Sequence, residues 1–178
     1  MQIWLDQVRE EPFNWDETRS VAPETLEHPE LISLGPIEWK GQVTFVDPGY
    51  YLRARLSYEQ TLSCDRCLKP IVEPTESDVE LLILVEHASG AAGEHELHEK
   101  DLGVLSVQGE TLETEPILME QLELNIPMKP LCRPDCKGLC PTCGADRNET
   151  ACSCEEPTAD SRWAALAALK SRLEAPGR

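Results

Sequence analysis

Residues 131–155 read LCRPDCKGLCPTCGADRNETACSCE and hold six of the chain's eight cysteines: Cys132, Cys136, Cys140, Cys143, Cys152 and Cys154. So few apolar residues lie among them that a packed core cannot fix the segment's shape. Either metal or disulfides must do it. Cys140-Pro-Thr-Cys143-Gly144 has the form of a metal knuckle. Two residues between thiols let both sulfurs reach one ion, and the following glycine permits a left-handed turn that aims backbone N–H groups at them.

The rest of the sequence decides between the two. The opening MQIWLDQVRE lacks the basic start and apolar run of a secretory leader. No stretch approaches the ~18 apolar residues of a membrane span. The expected setting is the cytoplasm, away from membranes, where paired cysteines hold metal more often than they form disulfides. A disulfide scaffold and reactive redox thiols are the alternatives. The eight thiols fall into four pairs, 64/67, 132/136, 140/143 and 152/154. Structural zinc takes four thiolates, so one or two ions are expected. The short intervening loop favours Cys140, Cys143, Cys152 and Cys154 as one set. Cys64, Cys67, Cys132 and Cys136 would then form the other. An exchange of partners, or one ion with spare thiols, fits the same spacings.

With 178 residues the chain can make one good-sized domain, or one domain plus an appendage. Ile3 and Leu5 alternate with polar residues as a short strand would, whereas the acidic, proline-containing residues 10–30 read as loop with at most a short helical turn. Residues 41–46 predict a strand, and Asp47-Pro48-Gly49 a turn. Residues 51–64 give the clearest alternation: Leu52, Ala54, Leu56, Tyr58 and Leu62 share one face, and Arg53, Arg55, Ser57, Glu59 and Thr61 the other. An antiparallel hairpin with one wet face follows, reversing at Cys64-Asp-Arg-Cys67. Ile71-Val72 and residues 78–86 supply the next extended run, apolar enough on both faces to be central. Residues 87–101 lack any apolar period and read as a loop; His95 and His98 within it read as solvated residues. Residues 102–107 predict another strand.

Thr114 offers a helix N-cap with Pro116 in the first turn, and Leu118, Leu122 and Ile126 form a stripe that Pro127 ends. Asp160 similarly caps a helix over 161–174 with Trp163, Leu166, Leu169 and Leu173 on one side. The expected class is α+β: an antiparallel sheet domain over 1–127 closed by one or two helices, then a zinc-knuckle segment with a C-terminal helix over 128–178.

The formal charge of −17 excludes a general nucleic-acid-binding surface, because phosphate is repelled. Catalytic zinc keeps an open position and usually takes His or carboxylate ligands, unlike these thiol pairs. No phosphate-cradling loop, nucleophile elbow or small-molecule motif is present. The expectation is a non-enzyme. A redox role for Cys64-Asp-Arg-Cys67, with Arg66 lowering a thiol pKa, is an alternative that lacks the usual strand-then-helix setting.

Asn125-Ile-Pro-Met-Lys-Pro-Leu-Cys132, Asp135-Cys-Lys-Gly-Leu-Cys-Pro-Thr-Cys-Gly144, Asn148-Glu149, Cys152-Ser-Cys154 and DSRWAALAAL from Asp160 follow Cys64-Asp-Arg-Cys67 in order. This succession, over residues 40–173, resembles the YceD family, the large ribosomal RNA subunit accumulation proteins of bacteria and chloroplasts. Ser161 stands where that family commonly has proline. The resemblance implies a role in accumulating or processing large-subunit ribosomal RNA, and a gene commonly beside that of a small zinc-binding ribosomal protein. It implies no catalytic activity. Around the knuckle, Lys129, Arg133, Lys137 and Arg147, with Arg66 and Lys69 added if the first thiol set forms, make the one cationic cluster on an acidic chain. They are candidate RNA contacts, or else residues that balance thiolate charge. The acidity equally suits an escort that screens a basic ribosomal protein.

Overall fold

A computed structural model describes residues 1–86, 103–154 and Leu166. It divides into two compact units, Met1–Cys136 and Lys137–Arg178.

The first unit is organised on strand β5 (Gly49–Ser63), whose alternation places Leu52, Leu56 and Leu62 wholly inside. Strand β4 (Ile37–Val46) pairs with its first half and β3 (Leu31–Leu34) with its second. On its other side β6 (Pro70–Glu86) runs antiparallel in one unbroken register, from Tyr50 opposite Ile83 to Ser63 opposite Pro70. The two stretches expected before and after residue 75 are therefore one long strand. Continuous backbone pairing to β5 carries it through the polar residues between them.

The sheet order is β2-β4-β5-β6-β7, with β2 (Phe13–Arg19) and β7 (Val104–Gln108) at the ends. β7 lies parallel to β6, so the sheet is mixed rather than purely antiparallel. The long connection over residues 87–103 permits this, since parallel neighbours need a crossover of a dozen or more residues. Residues 10–30, expected to be loop with at most a short helical turn, do hold a 3₁₀ turn at Pro23–Leu26 but also contain β2. The sequence FNWDETR has only two large apolar residues, Phe13 and Trp15, both at its start, too few for a sustained period; backbone pairing to β4 makes it a strand. Trp15 packs on Trp39 with ring centroids 5.6 Å apart. Its ring crosses Gly41, where a Cβ would lie 2.2 Å from Trp15 Cζ2.

At the start, β1 (Gln2–Trp4) pairs with β8 (Thr111–Glu113) as a separate ribbon. A short helix α1 (Leu5–Glu10) then buries Leu5 and Val8, so Leu5 begins a helix instead of ending a strand. Helix α2 (Thr114–Leu124) adds Ile117, Leu118 and Leu122 to the core, with Ile126 buried just beyond it. Thr114 is its first residue rather than its cap: the Oγ1 and N–H both donate to the Met1 carbonyl, at 3.3 and 3.0 Å. Leu124, on the helix's last turn, is exposed. On the outer face, Arg55 donates twice to Asp78 at 2.6 and 2.9 Å, and Arg53 pairs with Glu80 at 3.2 Å. Among the described residues no helix is long and apolar enough to cross a membrane.

The loop expected over 87–101, with His95 and His98, lies outside the described residues, as does the helix expected over 161–174 apart from Leu166. Leu166 is helical and exposed.

Candidate metal centres

Strand β5 ends at Ser63, and Cys64-Asp-Arg-Cys67 turns the chain into β6. The Leu68 N–H donates to the Cys64 carbonyl at 2.9 Å, and the Cys64 N–H to the Lys69 carbonyl at 2.9 Å. That turn requires a left-handed residue after the second cysteine, and Leu68 takes it with φ of 60°. The same turn recurs in the second unit. Gly144, at φ 73°, donates its N–H to the Cys140 carbonyl at 2.8 Å, while Cys140 donates to the Ala145 carbonyl at 2.8 Å. Only the second copy carries the expected glycine, so the first could not be read as a knuckle of the same geometry.

The Asp65 N–H donates to the Pro130 carbonyl at 2.9 Å, and the Arg66 guanidinium to the Cys136 carbonyl at 2.7 Å. These bonds bring residues 130–136 against the β5–β6 turn. Cys64 Sγ then lies 3.9 Å from Cys136 Sγ, and Cys67 Sγ 3.6 Å from Cys132 Sγ. Zinc–sulfur bonds of ~2.3 Å arranged tetrahedrally put sulfurs about 3.8 Å apart, whereas a disulfide holds them at about 2.05 Å. All four sulfurs lie within 4.8 Å of one another, as do those of Cys140, Cys143, Cys152 and Cys154. Two four-thiol groups of this kind can each hold a metal ion, and the donor set suits zinc.

Local electrostatics agree. Burial pushes the Cys64 thiol up, but N–H groups of Cys132, Arg66 and Cys67 outweigh it and bring it down to about 6. In the second group the N–H groups of Cys143 and Thr142 bring Cys140 down to about 6. Burial and the neighbouring sulfurs push Cys132 up to about 12, and hydrogen bonding to the other thiols does the same to Cys154. Each group thus holds one ready thiolate beside at least one thiol that resists ionising among sulfurs, Cys67 and Cys132 in the first and Cys154 in the second, a conflict that a divalent cation would resolve. The centres differ in shelter. Cys64, Cys67 and Cys136 are buried, with Cys132 exposed; in the second, only Cys140 is buried.

The second unit's described part, residues 137–154, has one isolated bridge, Leu139 to Asp146, as its strand pairing. Asn148 organises it: Oδ1 accepts the Lys137 N–H at 2.8 Å, and Nδ2 donates to Asp146 Oδ1 at 2.7 Å. No spacing rule pointed to Asn148 or Asp146 as holding the loop. All four candidate RNA contacts are exposed, Lys129 and Arg133 in the first unit and Lys137 and Arg147 in the second. Arg133 pairs with Asp135 at 3.5 Å.

A mixed sheet carrying one four-thiol group, and a small unit built round another, define a double-knuckle protein in which each group could hold a metal ion. Comparison with known proteins places it more narrowly. The chain belongs to the YceD family: the family model described as "Large ribosomal RNA subunit accumulation protein YceD" matches residues 52–170. It is 31% identical to "Uncharacterized protein Rv2926c" of Mycobacterium tuberculosis over 125 residues, 70% of this chain and 58% of that protein. It has the same identity and coverage with "Uncharacterized protein Mb2951c" of Mycobacterium bovis. The match thus spans under two thirds of the mycobacterial relatives' length. "Uncharacterized protein YlbN" of Bacillus subtilis is 25% identical over 166 residues, 93% of this chain and 92% of that protein. No solved structure matches.

Proposed function

We propose that the chain is a non-enzymatic ribosome-biogenesis factor of the cytoplasm that supports accumulation or processing of large-subunit ribosomal RNA, with one structural zinc in each four-thiol centre. The observation that carries this reading is the family match over residues 52–170, whose description names that RNA. Zinc is supported by the sulfur spacing at the first centre and the all-thiol donor sets. Direct RNA contact would fall to Lys129, Arg133, Lys137 and Arg147, since a net charge of −17 repels phosphate elsewhere. Escort of a basic ribosomal protein is the second reading, favoured by that same acidity. A redox role for Cys64-Asp-Arg-Cys67 has less support: the turn joins two strands, and both sulfurs sit among two further thiols.

The test is depletion of the protein in its host, followed by quantifying precursor and mature large-subunit RNA against small-subunit RNA. A selective loss of large-subunit RNA is expected, restored by the native chain and not by a variant with Cys64→Ser and Cys140→Ser. Unchanged ratios on depletion would refute the reading.

A further inference from the structure

A groove of about 480 Å³ opens between β7 and α2 in the first unit. Leu81, Val104, Leu105, Val107, Leu112 and Ile117 give it an apolar floor, and Glu113 and Glu120 stand in its lining. Among the described residues no Lys or Arg lines it. The acidity extends well beyond the rim. Residues 70–86 contain five acidic residues and residues 103–128 five more, and neither stretch contains a Lys or Arg. Three of the ten are paired: Glu115 with Arg19 and the Met1 amino group, Asp78 with Arg55, and Glu80 with Arg53.

β7 is also an end strand. Among the described residues it pairs only with β6, so its outer row of N–H and C=O groups has no strand beside it. Such an edge is a template for another extended segment, with backbone bonds giving affinity and side-chain pockets giving choice. Edge, floor and rim each specify something different. The edge asks for an extended chain, the floor for apolar side chains on one face of it, and the carboxylates for cations on the other.

We propose that this groove receives an extended segment of a partner protein in which apolar residues alternate with lysines or arginines. Nucleic acid fits neither the apolar floor nor the rim carboxylates of Glu113 and Glu120. The proposal uses none of the thiols and none of the four candidate RNA contacts, so it stands or falls separately from the reading above.

Fluorescence anisotropy of the full chain with a labelled peptide of alternating valine and lysine tests it. Saturable binding is expected, weakened by salt, and lost when the lysines are replaced by glutamate or the valines by serine. Glu113→Gln with Glu120→Gln, both surface changes that keep side-chain size, should weaken binding about tenfold, as removal of two rim charges would. Amide exchange should slow across Val104–Gln108 on binding. Equal affinity for the lysine and glutamate peptides would overturn the proposal. So would an unchanged affinity in the double variant, or protection that spares Val104–Gln108. Displacement of the peptide by an RNA oligonucleotide would assign the groove to nucleic acid instead. Protection of β7 that rises with protein concentration alone would assign it to a second copy of the chain.

Discussion

Leu68 and Gly144 hold the same left-handed backbone, at φ of 60° and 73°, each one residue past the second cysteine of its pair. Glycine adopts this conformation without a steric cost, whereas a leucine bears ~1–2 kcal/mol for it. Leu68 is also 64% exposed, so its side chain regains little by burial. Leu68→Gly is therefore expected to stabilise the first unit by about 1 kcal/mol in chemical denaturation. Gly144→Leu should cost the second unit a similar amount, seen as faster transfer of its metal to a competing chelator. A neutral Leu68→Gly would mean that the bonds around the turn, not the residue type, set its energy.

Elemental analysis of protein purified under reducing conditions should give two zinc ions per chain, one for each four-thiol group. A metal-free protein with its thiols joined in disulfides would contradict the geometry at the first centre, where sulfurs lie 3.6 and 3.9 Å apart.

The two centres should fail differently. The described part of the second unit has a single isolated bridge for strand pairing, so the metal supplies its folding free energy, on the order of 10 kcal/mol. Cys140→Ser should abolish amide protection over residues 137–154 and leave Gly49–Ser63 protected. Cys64→Ser should instead loosen residues 130–136 and the ends of β5 and β6. Loss of protection throughout β5 in the Cys140→Ser protein would show that the units do not fold independently.

Tyr58 gives a handle on the first unit's pH response. Burial raises its phenol pKa above the ordinary value near 10, partly offset by the neighbouring Asn125 side chain. The neutral phenol is favoured in the fold, so its contribution is complete below pH ~10 and is lost as pH rises through the folded value. Tyr58→Phe should remove a phenolate signal that titrates above the ordinary tyrosine range and flatten the alkaline decline. Phenolate absorbance that titrates identically before and after the change would contradict the burial.

Changing Lys129, Arg133, Lys137 and Arg147 together to Glu should abolish co-sedimentation with large-subunit precursors while zinc content is kept. For the native chain the salt dependence of RNA binding should correspond to about four phosphate contacts at most. Unaltered co-sedimentation would exclude direct RNA contact through these residues and favour the escort reading.

The parts of this fold legible in the sequence are those where one face is dry and the other wet. Leu52, Leu56 and Leu62 announce β5, and Leu118, Leu122 and Ile126 announce the inner side of α2 and its exit. β2 was not legible, because its pairing to β4 rests on backbone bonds that seven mostly polar residues do not signal. The parallel placement of β7 was invisible for a related reason: which edge a strand joins depends on the path of its connection, not on its own alternation. At the centres, cysteine spacing marked both knuckles. The turn after Cys67 stayed hidden behind a leucine, and Asn148 behind the absence of any spacing rule.

Cys67 and Cys132 meet across 65 positions of sequence. With a metal ion between them, everything from the β5–β6 turn to Pro130 becomes a closed ring. That ring contains all of β6, β7 and β8, and helix α2. Topologically the first centre is a clasp, and what it encircles includes every wall of the groove between β7 and α2. Opening the clasp leaves the sheet its hydrogen bonds but frees the far end of the loop that carries those walls. Closing a loop of this length removes about 4 kcal/mol of chain entropy from the unfolded state. A metal bound at the turn would thereby hold in register a surface built from residues that never touch it.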